Sequence, residues 1–440
     1  MIAVPLPHRR WLLGAAALAA LAPLALVWPP APALLIGLDL LWCGALALDA
    51  WAARRALPLE VVRVPPPAFS VGRELPVAYR WRHAARRPVT LLVRETLPPP
   101  LGLATPVRRL ALAPGAVTGE VLRLAPERRG RGEGGTLHVR LLGPLGLAWL
   151  QTRLELPWRA TVFPSLRGAS VRALPPEARR RREAGLRNVR RPGEGRLFEG
   201  LREWVPGDDT RIIDWKATAR RGKPIARQFE DERREQVLLV LDAGRLLTAE
   251  VDGVPRLEAV VDAALRLAHA AVEHDDNVGI MVFADTVQSF VPPARGRRGL
   301  RAVLEVLATA EGRVVESDYP AAFRYLAAHN RKRALTVLFT DVIDRTASDA
   351  LVVHAATLRP RHLPLAVTLR DPALERLATR RPPGVGAAFE RAAAEELLLA
   401  REEALAELRR RGILVLDVPP SAAAEAVVER YRELKRRGML

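Results

Sequence analysis

Three residues near the middle of the chain have the side-chain types that metal-dependent hydrolysis uses. Asp208 and Asp214 could hold Mg²⁺, and Lys216 could orient the attacking water. The interval between the two aspartates is short for such a site, and no clear strand carries Asp214. Every carboxylate in this stretch also has a cation nearby, which disfavours the carboxylate pair of a glycosidase. A hydrolase is therefore an alternative only, and no residue is assigned a catalytic role.

Oxygen-bearing side chains also follow two predicted strands in the C-terminal half. Asp242 ends the apolar run 236–242, and Asp341 follows the apolar run 334–339. Ligands of parallel sheets bind beyond the carboxyl ends of the strands, so both aspartates would face one site. The pattern resembles the metal-ion-dependent adhesion site of von Willebrand factor A domains. There an Asp-x-Ser-x-Ser motif, a Thr and a later Asp hold Mg²⁺.

This adhesion-site pattern is degenerate in the present sequence. Gly244 and Leu246 replace the two serines, and Arg245 adds a cation between them. An ion pair from Arg245 to Asp242 or Asp341 could then take the place of the metal. A metal-free pocket is favoured over a Mg²⁺ site. The candidate metal ligands are Asp242, Ser317 and Asp341, and the candidate interaction residues are Gly244, Arg245 and Thr340.

The elements around this site predict an α/β doubly wound domain over residues 236–440. Apolar strands are expected at 236–242, 278–283, 334–339, 363–369 and 413–418. Amphipathic helices are expected at 256–274, 298–310, 319–329 and 387–411, and Ser421 is expected to cap a last helix. This alternation of strands and helices indicates a mostly parallel sheet.

Residues 1–55 predict a membrane anchor. Two apolar stretches, 11–28 and 33–48, flank a proline-rich break, and each approaches the ~20 residues that a spanning helix needs. Arginines stand before and after the pair but not between, so the positive-inside rule predicts a transmembrane helical hairpin with both ends in the cytoplasm. The expected location is the inner membrane, multi-pass, with most of the chain cytoplasmic. A cleaved signal peptide is the alternative, and Asp39 is expected to be tolerated in the second span.

In residues 56–165 the pattern of apolar residues changes to a period of two, which predicts a β-rich domain. Candidate strands at 59–64, 77–82, 89–93 and 137–141 are separated by Pro and Gly clusters. Several short strands with turn signals indicate an immunoglobulin-like sandwich or a partial barrel. The basic, glycine-rich run 128–132 is expected to be a hairpin tip.

The charge balance points to anionic partners. The formal net charge is +19, and nearly all cations are arginines. The junction 166–235 is strongly basic, and its run 179–182 could lie against anionic lipid. Binding of nucleic acid through this junction is a further alternative. It is disfavoured because only 5% of residues are aromatic and because Trp204 and Trp215 are expected to be occupied by packing. The lone Cys43 excludes an intrachain disulfide.

The most specific stretch of the chain, residues 198–220, lies in this junction. A Pro-Gly-Asp-Asp turn stands between two tryptophans, and cations alternate with carboxylates around it. We expect a partly buried ion-pair network that fixes one geometry. The signature residues are Arg202, Trp204, Pro206, Gly207, Asp208, Asp209, Arg211, Asp214, Trp215, Lys216 and Arg220.

This stretch resembles the signature of the bacterial family called domain of unknown function 58. With the hairpin, the β segment and the α/β domain in the same order, the resemblance covers nearly the whole chain. One departure is Gly143, where the family often has Asp. The resemblance implies a von Willebrand factor A-like C-terminal domain. It also implies a partnership with MoxR-type AAA+ ATPases, and sometimes with transglutaminase-like membrane proteins.

Together these patterns describe a multidomain, membrane-anchored adaptor or assembly factor rather than an enzyme. Protein–protein interaction is expected at the strand-end edge of the α/β domain, where Asp242 and Asp341 lie. No cofactor is expected, apart from Mg²⁺ if the degenerate site binds it. The alternatives are the hydrolase with Asp208, Asp214 and Lys216, and nucleic-acid binding through the junction.

Overall fold

A computed structural model describes residues 4–165, 192–193, 197–205, 210, 213–230, 235–251, 254–342, 345–359 and 361–440. The chain divides into two compact units. The first unit is Met1–Ser165 with Leu307–Ala310, and the second unit is Leu166–Val306 with Glu311–Leu440.

The first unit opens with a strand and two helices. Strand β1 spans Val4–Pro7, helix α1 spans Arg9–Ala20, a 3-10 helix spans Ala22–Leu26, and helix α2 spans Ala31–Arg54. The stretch 11–28, predicted as one spanning helix, is therefore divided. Pro23, which has no N–H to donate, follows the end of α1.

One helix among the described residues, α2, is long and apolar enough to cross a membrane, and a signal sequence would pass the same test. Helix α1 rises only about 18 Å at 1.5 Å per residue, against roughly 30 Å of hydrocarbon. The two helices nevertheless pack together. The Trp11 and Trp42 indole nitrogens each donate to the other residue's carbonyl oxygen, both at 3.1 Å. Gly14 permits this approach, because a Cβ there would meet the Trp42 ring.

Ten strands build the rest of the first unit. They are β2 (Leu59–Val64), β3 (Phe69–Ser70), β4 (Leu75–His83), β5 (Val89–Thr96), β6 (Arg108–Leu112), β7 (Thr118–Leu124), β8 (Gly130–Gly134), β9 (Thr136–Leu142), β10 (Ala148–Leu154) and β11 (Trp158–Phe163). They form sheets in the orders β1-β10-β9-β5-β6, β2-β4-β7 and β3-β11-β8. The β-rich prediction is confirmed, and each predicted strand is present. The predicted hairpin tip 128–132 is in part strand β8.

Alternation along these strands buries one face of each sheet. In β4, for example, Val77, Tyr79 and Trp81 are fully buried. A buried carboxylate, Glu95, accepts hydrogen bonds from the Tyr79 hydroxyl at 2.5 Å and the Trp158 indole at 2.9 Å. The Arg63 guanidinium forms an ion pair with the same carboxylate at 2.5 Å. Because each partner comes from a different strand, this cluster ties the sheets of the first unit together.

The end of α2 is fastened to the turn between β9 and β10 by Asp49. Its carboxylate is fully buried. It accepts from the backbone N–H groups of Leu145 at 2.7 Å, Leu147 at 2.7 Å and Ala148 at 2.8 Å. The sequence departure at Gly143 has a physical reason here, because a Cβ at that position would collide with the Asp49 carboxylate.

The second unit begins with the small sheet β12-β14-β13. Its early elements are β12 (Pro192–Gly193), β13 (Leu197–Glu203), helix α3 (Trp215–Arg221) and β14 (Ile225–Glu230). The main sheet has β15 (Gln236–Asp242), β18 (Asn277–Phe283), β19 (Val287–Arg295), β20 (Leu335–Thr340), β21 (Leu363–Leu369) and β22 (Leu414–Val418). A two-stranded ribbon is formed by β16 (Glu250–Val251) and β17 (Val254–Pro255).

The main sheet has the order β19-β18-β15-β20-β21-β22 and is parallel except for β19. Its helices are α4 (Arg245–Thr248), α5 (Arg256–Glu273), α6 (Gly296–Thr309), α7 (Tyr319–His329), α8 (Arg345–Ala356), α9 (Pro372–Thr379), α10 (Val385–Arg410) and α11 (Pro420–Arg436). The predicted mostly parallel α/β arrangement is therefore present. Ser421 is not a cap: α11 already begins at Pro420, and its N-cap position is Pro419.

Alternate side chains of the buried strands face opposite layers of helices. Leu238 and Val240 pack in one cluster with side chains from α7, α8 and α10. Helix α5 contacts β15 and β18 and packs along α11. Because helices cover both faces of the sheet, nearly every residue of a central strand is apolar. Such continuous apolar runs can be found in the sequence.

Candidate functional site

Asp242 lies at the carboxyl end of β15, next to the end of β20. Leu241 pairs with Phe339 in parallel register, so Asp242 and Thr340 come next on neighbouring strands. One carboxylate oxygen of Asp242 accepts from the Tyr319 hydroxyl at 2.6 Å and the Thr340 hydroxyl at 2.7 Å. The predicted site residues Asp242 and Thr340 are thus brought together.

The other Asp242 oxygen accepts from the Gly244 backbone N–H at 2.9 Å and from the Ser317 hydroxyl. Glycine is needed at 244, because a Cβ there would meet the Ser317 hydroxyl and the Val315 carbonyl. Burial and then the Asp242 carboxylate raise the pKa of the Tyr319 hydroxyl well above its ordinary value. Tyr319 therefore stays protonated and acts as a donor, and both oxygens of Asp242 are occupied.

Asp341 is engaged differently, by two buried arginines that the sequence patterns did not single out. One carboxylate oxygen pairs with the Arg256 guanidinium at the start of α5. The other accepts from Arg401 of α10 at 2.6 Å and from the Val342 N–H at 2.8 Å. Arg401 also pairs with Asp417 of β22 at 2.6 Å. A chain of charges therefore runs along the strand ends from α5 to β22.

Arg245 does not pair with Asp242 or Asp341, so the predicted replacement of the metal by Arg245 is wrong. It forms an exposed ion pair with Glu316 at 2.5 Å. Arg256 and Arg401 occupy the position by Asp341 instead. Arg245 and Glu316 line a small pocket of about 130 Å³ together with Ser317 and Tyr319.

The donor set around the two aspartates does not fit a divalent cation. A metal needs free oxygen lone pairs and little positive charge nearby, yet Asp242 accepts four hydrogen bonds and Asp341 faces two guanidinium groups. Within the described residues no group of three or more His, Cys, Asp or Glu side chains could hold a metal. The residues present favour a rigid, metal-free strand-end edge.

We expect Mg²⁺ to leave the thermal unfolding temperature of the full-length protein unchanged, since Asp242 already accepts four hydrogen bonds and Asp341 is paired with two guanidinium groups. Differential scanning fluorimetry with millimolar Mg²⁺, and with a chelator, measures this. The matched control is the Asp242→Asn variant. A rise in the unfolding temperature with Mg²⁺ that disappears in this variant would contradict the metal-free assignment.

Asp214, one of the signature residues that the structure describes, has a structural role. It caps helix α3, accepting from the Lys216 N–H at 3.1 Å and the Ala217 N–H at 3.0 Å. The Lys216 side chain is exposed, and Trp215 is 70% exposed, so the expectation that Trp215 is occupied by packing is wrong. Trp204 is half-buried. Arg202 donates to the Glu203 carbonyl at 3.1 Å, and Arg220 lies in the last turn of α3.

The remaining signature residues Pro206, Gly207, Asp208, Asp209 and Arg211 lie outside the described residues, as does the basic run 179–182. The Asp208–Asp214–Lys216 hydrolase site is therefore not tested as a unit. The cap at Asp214 accounts for that carboxylate without any catalytic role.

Residues 200–411 match a family model described as "Protein of unknown function DUF58". Over this stretch the chain matches the DUF58 family. The DUF58 region contains Asp242, Asp341 and Arg401, so the strand-end edge lies within it. The resemblance noted in the sequence is confirmed for this region.

Curated relatives of this chain include uncharacterized proteins of Mycobacterium tuberculosis and Mycobacterium bovis. Each is 26% identical over 183 residues, which is 41% of this chain and 55% of the relative. The chain thus spans about half the length of the curated relatives it matches.

Two solved structures show weaker likenesses. The vWF domain of the type V pili tip protein Mfa5 from Porphyromonas gingivalis has a TM-score of 0.26 at 10% identity, covering 46% of this chain and 94% of that one. A PapD-like domain of human CEP192 has a TM-score of 0.19 at 12% identity, covering 25% and 89%. Both TM-scores are too low to bear on function.

Proposed function

We propose that this DUF58 protein is a membrane-anchored, non-enzymatic adaptor whose α/β domain binds a partner protein at the strand-end edge without a metal. The observation that carries the proposal is that donors from the protein itself bind both oxygens of Asp242 and both oxygens of Asp341. Carboxylates held in this way offer neither a general base nor a metal ligand, so rigid presentation of the surrounding loops is what they can provide.

The loops held by this edge present a compact surface, which we call the docking edge: Arg245, Val314 and Glu316. Two backbone hydrogen bonds join the loops, from the Arg245 N–H to the Val315 carbonyl at 2.9 Å and from the Arg313 N–H to the Ala243 carbonyl at 2.7 Å. Val314 is 84% exposed, and the Arg245–Glu316 pair stands beside it. An exposed apolar side chain flanked by charges suits a protein partner.

The domain assignments that support this role are proposals as well. We assign the second unit's main sheet to the von Willebrand factor A-like class, and the β-rich part of the first unit to the immunoglobulin-like class. Helices α1 and α2, which pack antiparallel through Trp11 and Trp42, would form the inner-membrane hairpin. The partner implied by the family resemblance is a MoxR-type AAA+ ATPase, with a transglutaminase-like membrane protein as a further member.

The test is affinity purification of the tagged full-length protein from its native membrane, with mass spectrometry of the proteins that co-purify. We expect an AAA+ ATPase to be recovered, and the double variant Arg245→Glu/Val314→Asp to reduce its recovery at least tenfold. The buried Asp242 and Asp341 are unsuitable for this test, because changing them would disturb folding.

The control variant is Val385→Asp, which places a charge at a comparably exposed valine, 77% exposed, on α10 of the same domain. Its recovery of the ATPase should equal that of the unchanged protein. Recovery without any AAA+ ATPase, or equal losses in the control and the docking-edge variant, would contradict the proposal.

A further inference from the structure

The outer face of the five-stranded sheet carries cations in two adjacent rows. Residues directly opposite on antiparallel strands point to the same face. Arg94 therefore stands beside His138 and Arg153 in one row across β5, β9 and β10. In the next row, Arg109 and Arg140 flank Leu92. We call Arg94, Arg109, Arg140 and Arg153 the basic face, and all four side chains are exposed.

No acidic side chain balances the basic face within its own sheet. Across the five described strands the one acidic residue is Glu95, which points inward and is fully buried. None of the four arginines forms an ion pair with a described residue, although Arg140 donates to Gln151 at 2.8 Å. The sheet β2-β4-β7 differs, because on its outer face Glu60 stands opposite Arg82.

Arg140 is diagonal to Arg94 on one neighbouring strand and to Arg153 on the other. Cations this close on one face of a sheet repel one another, so the arrangement opposes folding unless an anion offsets it. His138 reflects this repulsion: burial and then Arg153 and Arg94 lower its pKa from the ordinary value. The histidine thus stays neutral near pH 7 and avoids adding a further charge. The basic face has the character of a binding surface for closely spaced anions.

The position of the face identifies the source of those anions. Two residues along the strands from the Arg140 row, on the same face, Leu142 stands opposite Trp149. The centroid of the Trp149 ring lies 5.5 Å from that of His8, which immediately precedes α1. The turn that follows Leu142 is held by Asp49 of α2. The order is therefore apolar helix, then Trp and Leu, then arginines roughly 7 Å further per row. This is the polarity sequence from hydrocarbon to headgroup at a membrane surface.

We propose that the basic face stands at the level of the lipid headgroups and binds the phosphate groups of anionic phospholipids. The proposal rests on the membrane anchoring proposed above. Planar guanidinium groups suit it because each can bind two phosphate oxygens at once. The second row lies within a Debye length of the first, about 8–10 Å at physiological ionic strength, so both rows feel the lipid charge.

The test uses the full-length protein reconstituted in nanodiscs of phosphatidylcholine with trace spin-labelled phosphatidylglycerol or phosphatidylcholine. Electron spin resonance gives the fraction of each label immobilised by the protein. We expect phosphatidylglycerol to be several-fold enriched, and the enrichment to fall to near unity in Arg94→Gln/Arg109→Gln/Arg140→Gln/Arg153→Gln. The matched control removes four exposed arginines elsewhere in the first unit: Arg80→Gln/Arg82→Gln/Arg123→Gln/Arg159→Gln.

Enrichment lost in the basic-face variant and kept in the control supports the proposal, provided that circular dichroism shows both variants folded. No enrichment in the unchanged protein, or equal enrichment in both variants, overturns it. If the basic-face variant keeps its lipid preference but loses an acidic protein or nucleic acid in pull-downs, that ligand replaces lipid. Membrane anchoring has a separate readout, extraction with alkaline carbonate. Release of the protein from membranes by this treatment would contradict the anchoring rather than the lipid binding.

Discussion

Replacing Asp341 with alanine is expected to lower the free energy of unfolding of the α/β domain by about 3–5 kcal/mol, the usual cost of leaving a buried ion pair half-broken. Asp341 is fully buried, and both Arg256 and Arg401 pair with it. Their guanidinium groups would stay charged in a place that water hardly reaches. Hydrogen–deuterium exchange of the β20 amides in the full-length protein measures the change, which should be roughly two to three and a half decades in rate.

The control for Asp341→Ala is Glu395→Ala on α10. Glu395 pairs with Arg391 at 2.8 Å, but both side chains are at least 40% exposed. A surface pair of this kind is worth about 0.5 kcal/mol or less, so β20 exchange should hardly change. Equal exchange in the two variants would show that the buried charges are not coupled as the distances indicate.

Replacing Asp49 with alanine is expected to release the turn between β9 and β10 from the end of α2. Backbone N–H groups of Leu145, Leu147 and Ala148 would lose their acceptor. Each such bond to a charged group contributes about 1.5–3 kcal/mol, so the local loss should be at least about 3 kcal/mol. The exchange rates of these three amides in detergent-solubilised protein are the measurement.

Two further variants show whether the Asp49 effect is specific. Asp49→Asn should be nearly as damaging, because its NH₂ group would face N–H donors. Asp39→Ala removes an exposed carboxylate of the same helix and should leave the turn amides as they were, which also tests the expectation that Asp39 is merely tolerated. Unchanged turn amides in Asp49→Ala would contradict the assigned role of Asp49.

Most of the α/β architecture could be predicted because buried parallel strands are continuous apolar runs. β15 and β21 match their predicted bounds, and α5 and α7 begin at the predicted residues. Strand β19 was missed. It is an antiparallel edge strand that contains Pro292 and Pro293 and has only partly buried side chains, so it lacks the apolar run that marks the central strands.

The candidate site could be predicted only in part. The ends of β15 and β20 placed Asp242 and Thr340 together, since the carboxyl ends of parallel strands meet at one edge of the sheet. Arg256 and Arg401 could not be found, because nothing distinguishes two buried arginines among 68 Arg and Lys residues. Their pairing with Asp341 also spans 85 and 60 residues, a separation that no local pattern reports.

The same separations constrain the order in which the α/β domain can assemble during synthesis. Asp341 pairs backward with Arg256 and forward with Arg401, so the forward contact cannot form until α10 has left the ribosome. Until then Asp341 has one of its two cations, and β22 and its Asp417 are still missing from the sheet. Contacts of such long range form late and close the fold in one cooperative step. A truncated chain ending before α10 should therefore be a substrate for proteases rather than a smaller version of the domain.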